Sequence, residues 1–357
     1  MKKICFMINT LTGGGAERVT SIVTSYLSQN KDMEVHLITL AKKDKEYELA
    51  PEVIRHNLDL DFLSTKGMIK SFFATRKYML KLHCDCYVGI DIFANIIVSS
   101  MSVLRSRKTI ISERNAPKQV QIKGIMRFLR RIFYPFAKCV VFQTEGAQND
   151  SPARVAKKGV IIPNPVKTGL PRNTPEEHVI CAAGRLSAEK NYYLLINSFR
   201  EVVKLHPEYS LSIFGQGVME NELKAYVEGL GLADKILFAG FCADVHDRMK
   251  TAEIFVLSSN SEGMPNSLLE AMAMGFAVIS TDCPPGGPRA LIEDGKNGLL
   301  VPVGDEPAMA AAMLRYIEDG ELRKNAGELA LEVNERYSVE KITSAWQECI
   351  ERVLTNK

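Results

Sequence analysis

No apolar run in this 357-residue chain reaches the roughly 20 residues that a membrane-spanning helix needs. The opening stretch MKKICFMIN is apolar for too short a distance to be a signal peptide, and GGGAER follows it, so a buried first strand is expected. The eight cysteines are scattered. Only Cys84 and Cys86 lie close together, and Cys-x-Cys alone is not a metal site. Reduced thiols in a cytosolic protein are expected. There is no internal repeat and no low-complexity tract. The glycines after the first strand do not follow G-x-G-x-x-G, which weakens a nicotinamide or flavin reading. No Asp-x-Asp falls in a loop suited to holding a metal.

What is present is ordinary globular composition, 46% hydrophobic and 24% charged, at a length that suggests two domains. The net charge of +3 hides an asymmetry. Residues 1–165 carry 26 basic and 14 acidic side chains; residues 166–357 carry 19 basic and 28 acidic. A basic half points to an anionic partner for that half. The extreme is 101–140, with ten Lys/Arg against the single acid Glu113.

Short apolar runs at Ile4–Asn9, Val35–Leu40, Cys86–Ile90, Thr109–Ser112, Cys139–Gln143 and Gly159–Ile162 read as strands. An amphipathic helix over Ala16–Ser28 separates the first two, which is the β-α-β grammar of a parallel sheet. The segment Ile162–His178, with four prolines, reads as a linker. The grammar then restarts, with strands at His178–Ala182, Tyr209–Phe214, Ile236–Phe238, Ile254–Ser258 and Ala277–Thr281. Helices are expected over Asn191–Leu205, Met219–Gly229 and Asn266–Met274. A last helical pattern over Ser338–Leu354 puts Ile342, Trp346, Ile350 and Val353 on one stripe. The fold class is therefore α/β, with two Rossmann-like parallel-sheet domains at 1–165 and 166–337 and a terminal helix at 338–357.

In open α/β sheets ligands bind beyond the carboxyl ends of the strands, so the loops there are where chemistry is expected. NTLTGGGAER (Asn9–Arg18) lets backbone approach a ligand at Gly14 and Gly15 and opens a helix whose amides suit an anion; a tight packing turn is the alternative. AAGRLSAEKN (Ala182–Asn191) follows a strand with Gly184, Arg185 and Lys190, a fork and a movable point charge suited to phosphate, or else a solvated pair. FGQG (Phe214–Gly217) supplies Gly215 after another strand, as a base platform or a simple turn. SEGMPNSLLEAMAMG has Pro265 at a helix start and Gly275 at its stop. The amides from Asn266, Ser267 and Leu268 onward favour phosphate. Glu270 lies about one turn further in, suited to a diol. Glu262 stands before the helix, beside the Gly263 and Met264 amides. Either glutamate alone could be a capping or solvated acid.

Glu262 and Glu270 form E-x7-E. With GGGAER, GRLSAEKN, FGQG and DCPPGGPRALIEDGKNGLLVPVGD in this order, the chain resembles the retaining glycosyltransferases of family 4 over nearly its whole length, most closely from Ala182 to Asp305. The resemblance implies the GT-B architecture, two facing Rossmann-like domains with a cleft, the first on the acceptor side and the second binding the nucleotide sugar, and a C-terminal helix that crosses back to pack on the first domain. It implies that Glu262 contacts donor-sugar hydroxyls, that Glu270 holds the ribose, and that Arg185 and Lys190 neutralise the diphosphate with the amides near Ser267 and Leu268. Gly14 and Gly15 would close over phosphate and acceptor. Transfer would be front-face and diphosphate-assisted, with no resident cofactor or metal. The donor would be a nucleotide sugar, UDP by family frequency, carrying a hexose or N-acetylhexosamine. IISERNAPK departs from the pattern: many relatives have a sugar-contacting histidine where Arg114 follows Glu113, so these two are candidate sugar or acceptor contacts and no catalytic histidine is carried over.

Lys118–Cys139 alternates basic and bulky apolar residues at near-helical spacing, with Lys123, Arg127, Arg130 and Arg131 on the basic faces. Such a helix suits an anionic membrane surface, or an acceptor bearing a lipid diphosphate; a core helix with a solvated face is the alternative. Lys66–Lys81 has a similar character. No nucleic-acid motif accompanies the charge. The resemblance implies a lipid-linked glycan or surface-polysaccharide acceptor and a cytoplasmic enzyme, peripheral on the inner face of the cell membrane. The rival readings are a nucleotide-sugar epimerase of the same architecture, or a non-catalytic glycan- or lipid-binding relative.

Overall fold

A computed structural model describes residues 1–43, 45–61, 64–105, 107–114 and 124–355. The chain divides into two compact units, Met1–Pro165 with Val339–Lys357, and Val166–Ser338.

In the first unit seven strands, β1 (Lys2–Ile8), β2 (Met33–Thr39), β3 (Ile54–Asn57), β4 (Cys86–Gly89), β5 (Lys108–Glu113), β6 (Cys139–Phe142) and β7 (Gly159–Ile161), form one sheet. Its order is β3-β2-β1-β4-β5-β6-β7, and every pairing is parallel. The second unit has β8 (Val179–Ala183), β9 (Ser210–Phe214), β10 (Ile236–Gly240), β11 (Ile254–Leu257), β12 (Ala277–Thr281) and β13 (Leu299–Val301). They run in the order β10-β9-β8-β11-β12-β13, again all parallel. Both are the doubly wound order 3-2-1-4-5-6, with an extra strand on the first. The central strands are buried on both faces, as at Ile4–Met7 and Ile254–Val256, because helices cover a parallel sheet on both sides.

This order places a topological switch point between β1 and β4 in the first unit and between β8 and β11 in the second. There the connections diverge to opposite sides, leaving room beyond the strand ends for a ligand. The strands and helices expected from sequence lie within a few residues of those observed, and Asn266–Met274 coincides with its helix. The edge strand β3 was not expected. Its sequence, IRHN, is short and polar, as suits an edge strand paired on one side only, with Ile54 and Asn57 exposed and Arg55 and His56 half-buried. β13 and the helices Glu306–Glu318 and Gly320–Ala330 were not read from the sequence either.

The proline-rich segment is irregular but tied down. Asn173 N–H donates to Met274 O at 2.8 Å, and Thr174 N–H to Lys250 O at 2.8 Å. Where the chain enters and leaves the second unit, Val166 N–H donates to Tyr337 O at 2.8 Å. The helix Val339–Thr355 belongs to the first unit. It buries Ile342, Trp346, Ile350 and Val353 against the helix Gly15–Ser28 and strands β4 and β5, with Trp346 6.2 Å from Phe6. All eight cysteines are free thiols. Among the described residues, no helix is long and apolar enough to cross a membrane.

Candidate functional site

In the second unit the loops after β8 and β9 touch backbone to backbone. Gly184 N–H donates to Phe214 O at 2.9 Å, and Gly215 N–H to Gly240 O at 2.8 Å. Gly215 has φ +135°, and a Cβ there would fall 2.0 Å from Gly184 O. A side chain is therefore excluded twice, by conformation and by space. One on Gly217 would meet Leu186 O at 2.1 Å.

The loop after β8 turns sharply through Asn191, whose φ of +46° lies in the left-handed region that Asn tolerates. The Asn191 side chain caps the helix Tyr192–Leu205 by accepting from Leu194 N–H at 3.3 Å. The same turn is pinned to the loop after β11. Asn260 N–H donates to Glu189 O at 2.7 Å, and Ser258 Oγ to Lys190 O at 2.8 Å. These contacts bring together two residues 72 positions apart: Lys190 Nζ donates to Glu262 Oε1 at 2.5 Å. Ser259 Oγ donates to the same oxygen at 2.7 Å, and Thr281 Oγ1 holds Ser259 O at 2.5 Å. The pair is only partly shielded, the side chains being 21% and 13% exposed. The Glu262 charge is felt nearby. Burial first, and then that carboxylate, push the Tyr192 phenol well above its ordinary range and the Cys283 thiol up to about 12. Arg185 is exposed on the same turn.

Past Glu262, its own N–H donates to Pro284 O at 3.0 Å, and Gly287 presses so close to Gly263 that a Cβ would sit 2.5 Å from Gly263 O. Met264 is buried. The helix Asn266–Met274 begins after Pro265, which has no side-chain acceptor to cap its first amides. Asn266 and Ser267 are half-buried, whereas the Leu268 side chain is wholly in the core, so Leu268 can offer a ligand only its backbone. Gly275 stops the helix at φ +89°.

Glu270 points to a different partner. Its Oε2 accepts from His246 Nε2 at 2.8 Å. His246 belongs to the five-residue helix Val245–Met249, between β10 and β11. The two glutamates of E-x7-E are thus separately held, Glu262 by a lysine and a serine and Glu270 by a histidine. Sequence reasoning missed His246, because 24 residues separate it from Glu270 and only the packing of one short helix brings it near.

In the first unit, Gly14 is the N-cap of the helix Gly15–Ser28, preceded by Gly13 at φ +64°. Just past β4, the half-buried Asp91 accepts from Asn9 N–H and from Ala94 N–H, each at 2.8 Å, so both switch-point loops of this sheet are tied to one carboxylate. Burial raises the Asp91 pKa. Sequence reasoning did not single out Asp91.

Glu113 and Arg114 are both engaged within the first unit, Glu113 buried and Arg114 half-buried. Glu113 is 2% exposed and paired with Arg130, whose Nη2 donates to Oε2 at 2.6 Å. Arg130, grouped above with the membrane-facing cations, therefore turns inward, with its guanidinium also 5.1 Å from the Tyr134 ring. A buried carboxylate must be paired to remain charged, which accounts for the inward turn. Arg114 donates to Asn164 Oδ1 at 2.7 Å and lies 5.6 Å from the Trp346 ring. Burial lowers its pKa to about 10. Lys123 lies outside the described residues. Arg127 and Arg131 are exposed on the helix Gly124–Phe133, alongside Ile125, Phe128 and Ile132. Phe133 on this helix meets Phe72 on the helix Thr65–Lys81, which exposes Ile69, Phe73, Lys66 and Lys70. Two adjacent helices thus present apolar side chains, with Phe73 and Phe128 each more than 60% exposed, among basic ones.

Doubly wound parallel sheets in both units are the architecture of the GT-B glycosyltransferases. The chain belongs to the family Glycosyl transferases group 1, whose model matches residues 171–333, and it is a glycosyltransferase. Among its relatives is the N-acetylgalactosamine-N,N'-diacetylbacillosaminyl-diphospho-undecaprenol 4-alpha-N-acetylgalactosaminyltransferase of Campylobacter jejuni. That protein is 31% identical over 346 residues, 91% of this chain and 92% of the relative. A second Campylobacter jejuni relative, the GalNAc-alpha-(1->4)-GalNAc-alpha-(1->3)-diNAcBac-PP-undecaprenol alpha-1,4-N-acetyl-D-galactosaminyltransferase, is 29% identical over 99% of both chains. In fold, the chain is similar to Anabaena HepE, whose structure holds UDP and glucose (TM-score 0.79, 18% identity, 98% of this chain and 100% of that one). It is also similar to sucrose-phosphate synthase from Thermosynechococcus elongatus (TM-score 0.85, 17% identity, 99% of both chains).

Proposed function

We propose that this glycosyltransferase moves a hexose or N-acetylhexosamine, with retention of anomeric configuration, from a UDP-sugar to a lipid-diphosphate-linked glycan. The observation that carries the reading is the Lys190–Glu262 pair beyond the ends of β8 and β11, followed by the start of the helix Asn266–Met274 with Glu270 one turn inside it. A cation, a set of amides and two separately held carboxylates match the polarity of a nucleotide sugar, with diphosphate between sugar and ribose. The donor's diphosphate would take Lys190 from Glu262, freeing that carboxylate for sugar hydroxyls. Arg185, Lys190 and the amides of Asn266–Leu268 would then oppose the charge that grows on the leaving diphosphate, most strongly in the transition state. In this reading protein cations and amides supply the charge that a divalent metal supplies elsewhere, and the attack is front-face, assisted by the diphosphate.

The lipid-linked acceptor is supported by the undecaprenol-diphosphate glycans in the names of the two Campylobacter relatives, and UDP by its presence in HepE. The exposed Phe73, Phe128, Arg127 and Arg131 support seating on the anionic inner face of the cell membrane. The deciding experiment is a thermal-shift panel of UDP, GDP, their sugar conjugates and NAD, on wild type and Glu270→Ala. Stabilisation by a uridine diphosphate ligand that disappears in the variant supports the reading. Product anomer analysis with a lipid-diphosphate acceptor then tests retention, and an inverted product ends that part. An epimerised donor formed without acceptor would favour the epimerase instead.

A further inference from the structure

We infer that His246 is a positioning residue for nucleotide recognition: it holds the Glu270 carboxylate in the orientation that reads the ribose. The inference rests on the reading of Glu270 as the ribose contact given above. His246 Nε2 lies 2.8 Å from Glu270 Oε2, and each side chain is 12% exposed. An ionised carboxylate only accepts, so Nε2 carries the hydrogen and donates. The ammonium of Lys167 stands 3.5 Å from His246 Nδ1, a long contact that fits Nδ1 as the acceptor and so the same tautomer. Glu270 is on the first turns of the helix Asn266–Met274, where its backbone is fixed but its carboxylate retains side-chain torsions. The bond to His246 restrains those torsions. With His246 in place one oxygen is committed, and the plane of the carboxylate is set before any ligand arrives. That is the preorganisation a diol-reading group needs if it is not to lose its binding energy to ordering.

His246 is not proposed to touch the reacting atoms. Its effect therefore falls on selectivity for the ribose, and the diphosphate contacts through Arg185 and Lys190 are untouched by it. Calorimetric titration of UDP, 2′-deoxy-UDP and inorganic pyrophosphate into wild type, His246→Ala, His246→Gln and Glu270→Ala separates these effects. The Gln side chain keeps a donor close to the Nε2 position. His246→Ala is expected to weaken UDP about tenfold, equivalent to about 1.4 kcal/mol, to leave pyrophosphate unchanged, and to bring UDP and 2′-deoxy-UDP toward equal affinity. His246→Gln is expected to restore most of the preference for UDP. If His246→Ala binds UDP as wild type does while Glu270→Ala does not, the inference fails and the ribose reading stands. If Glu270→Ala also binds UDP normally, the ribose reading falls and the inference falls with it. Equal weakening of UDP and pyrophosphate in His246→Ala, without rescue by Gln, would make His246 a packing residue only and overturn the proposal.

Discussion

Lys190 and Glu262 neutralise one another before any donor arrives, and this sets what each substitution should do. Lys190→Ala removes the cation that would face the leaving diphosphate, so kcat should fall about 100- to 1,000-fold in a transfer assay, the size of losing one preorganised electrostatic contact. Full activity would remove Lys190 from the chemistry. Glu262→Ala should depress transfer at least tenfold while calorimetry shows UDP itself bound nearly as before, because its assigned contact is to the sugar. Both residues were legible in the sequence through E-x7-E and GRLSAEKN, since those motifs are local. Their pairing was not, because it depends on the turn at Asn191 and on Asn260 bonding across to Glu189. Arg130 shows the reverse problem. Its place in a basic helical pattern says nothing of Glu113, which lies 17 residues earlier at the end of a strand and draws it inward. Accordingly Arg127→Gln with Arg131→Gln should weaken sedimentation with anionic liposomes, by about 1 kcal/mol per charge removed. Unchanged sedimentation would end the membrane reading of that helix.

At the scale of elements, strands with continuous apolar runs were easy to find, and the two missed, β3 and β13, each lie at a sheet edge. β3 is the instructive case, because what holds it is polar. His36 Nδ1 on β2 lies 2.9 Å from His56 Nε2 on β3, and His56 Nδ1 lies 2.9 Å from Tyr78 Oη on the helix Thr65–Lys81. Glu34, itself paired with Lys3, holds the far nitrogen of His36 at 2.8 Å. Burial first, and then His36, lower the His56 pKa from its ordinary 6.5. With the folded value below the unfolded one, the unfolded chain binds more protons through that window. The contribution is therefore present above pH 6.5 and lost as the pH falls toward the folded value. Hydrogen exchange should show 54–57 and 65–81 losing protection between pH 7 and pH 5, and His56→Gln should flatten that dependence. Loops obey a different constraint. Gly215→Ala forces a Cβ onto Gly184 O at a positive φ, so it should cost about 1–3 kcal/mol or more and lower Tm by several degrees.

Across the whole molecule, the first unit is not one continuous stretch. Its last element, Val339–Thr355, arrives after the entire second unit has been made. The stripe Ile342, Trp346, Ile350 and Val353 announced an amphipathic helix, but no local pattern could say which core it completes. Trp346→Ala should cost about 3–5 kcal/mol, a large share of a domain's stability, and calorimetry should show that loss. The chain has a single tryptophan, and it is this one, fully buried beside Phe6 and under the Arg114 guanidinium. Indole emission is then a built-in optical label for the first unit alone. A denaturant titration followed by that light sees only the first unit, whereas Lys190, Glu262 and Glu270 belong to the second. Any movement of its midpoint when UDP is added would measure, without an introduced probe, how far occupancy in one half of the chain is felt by the other.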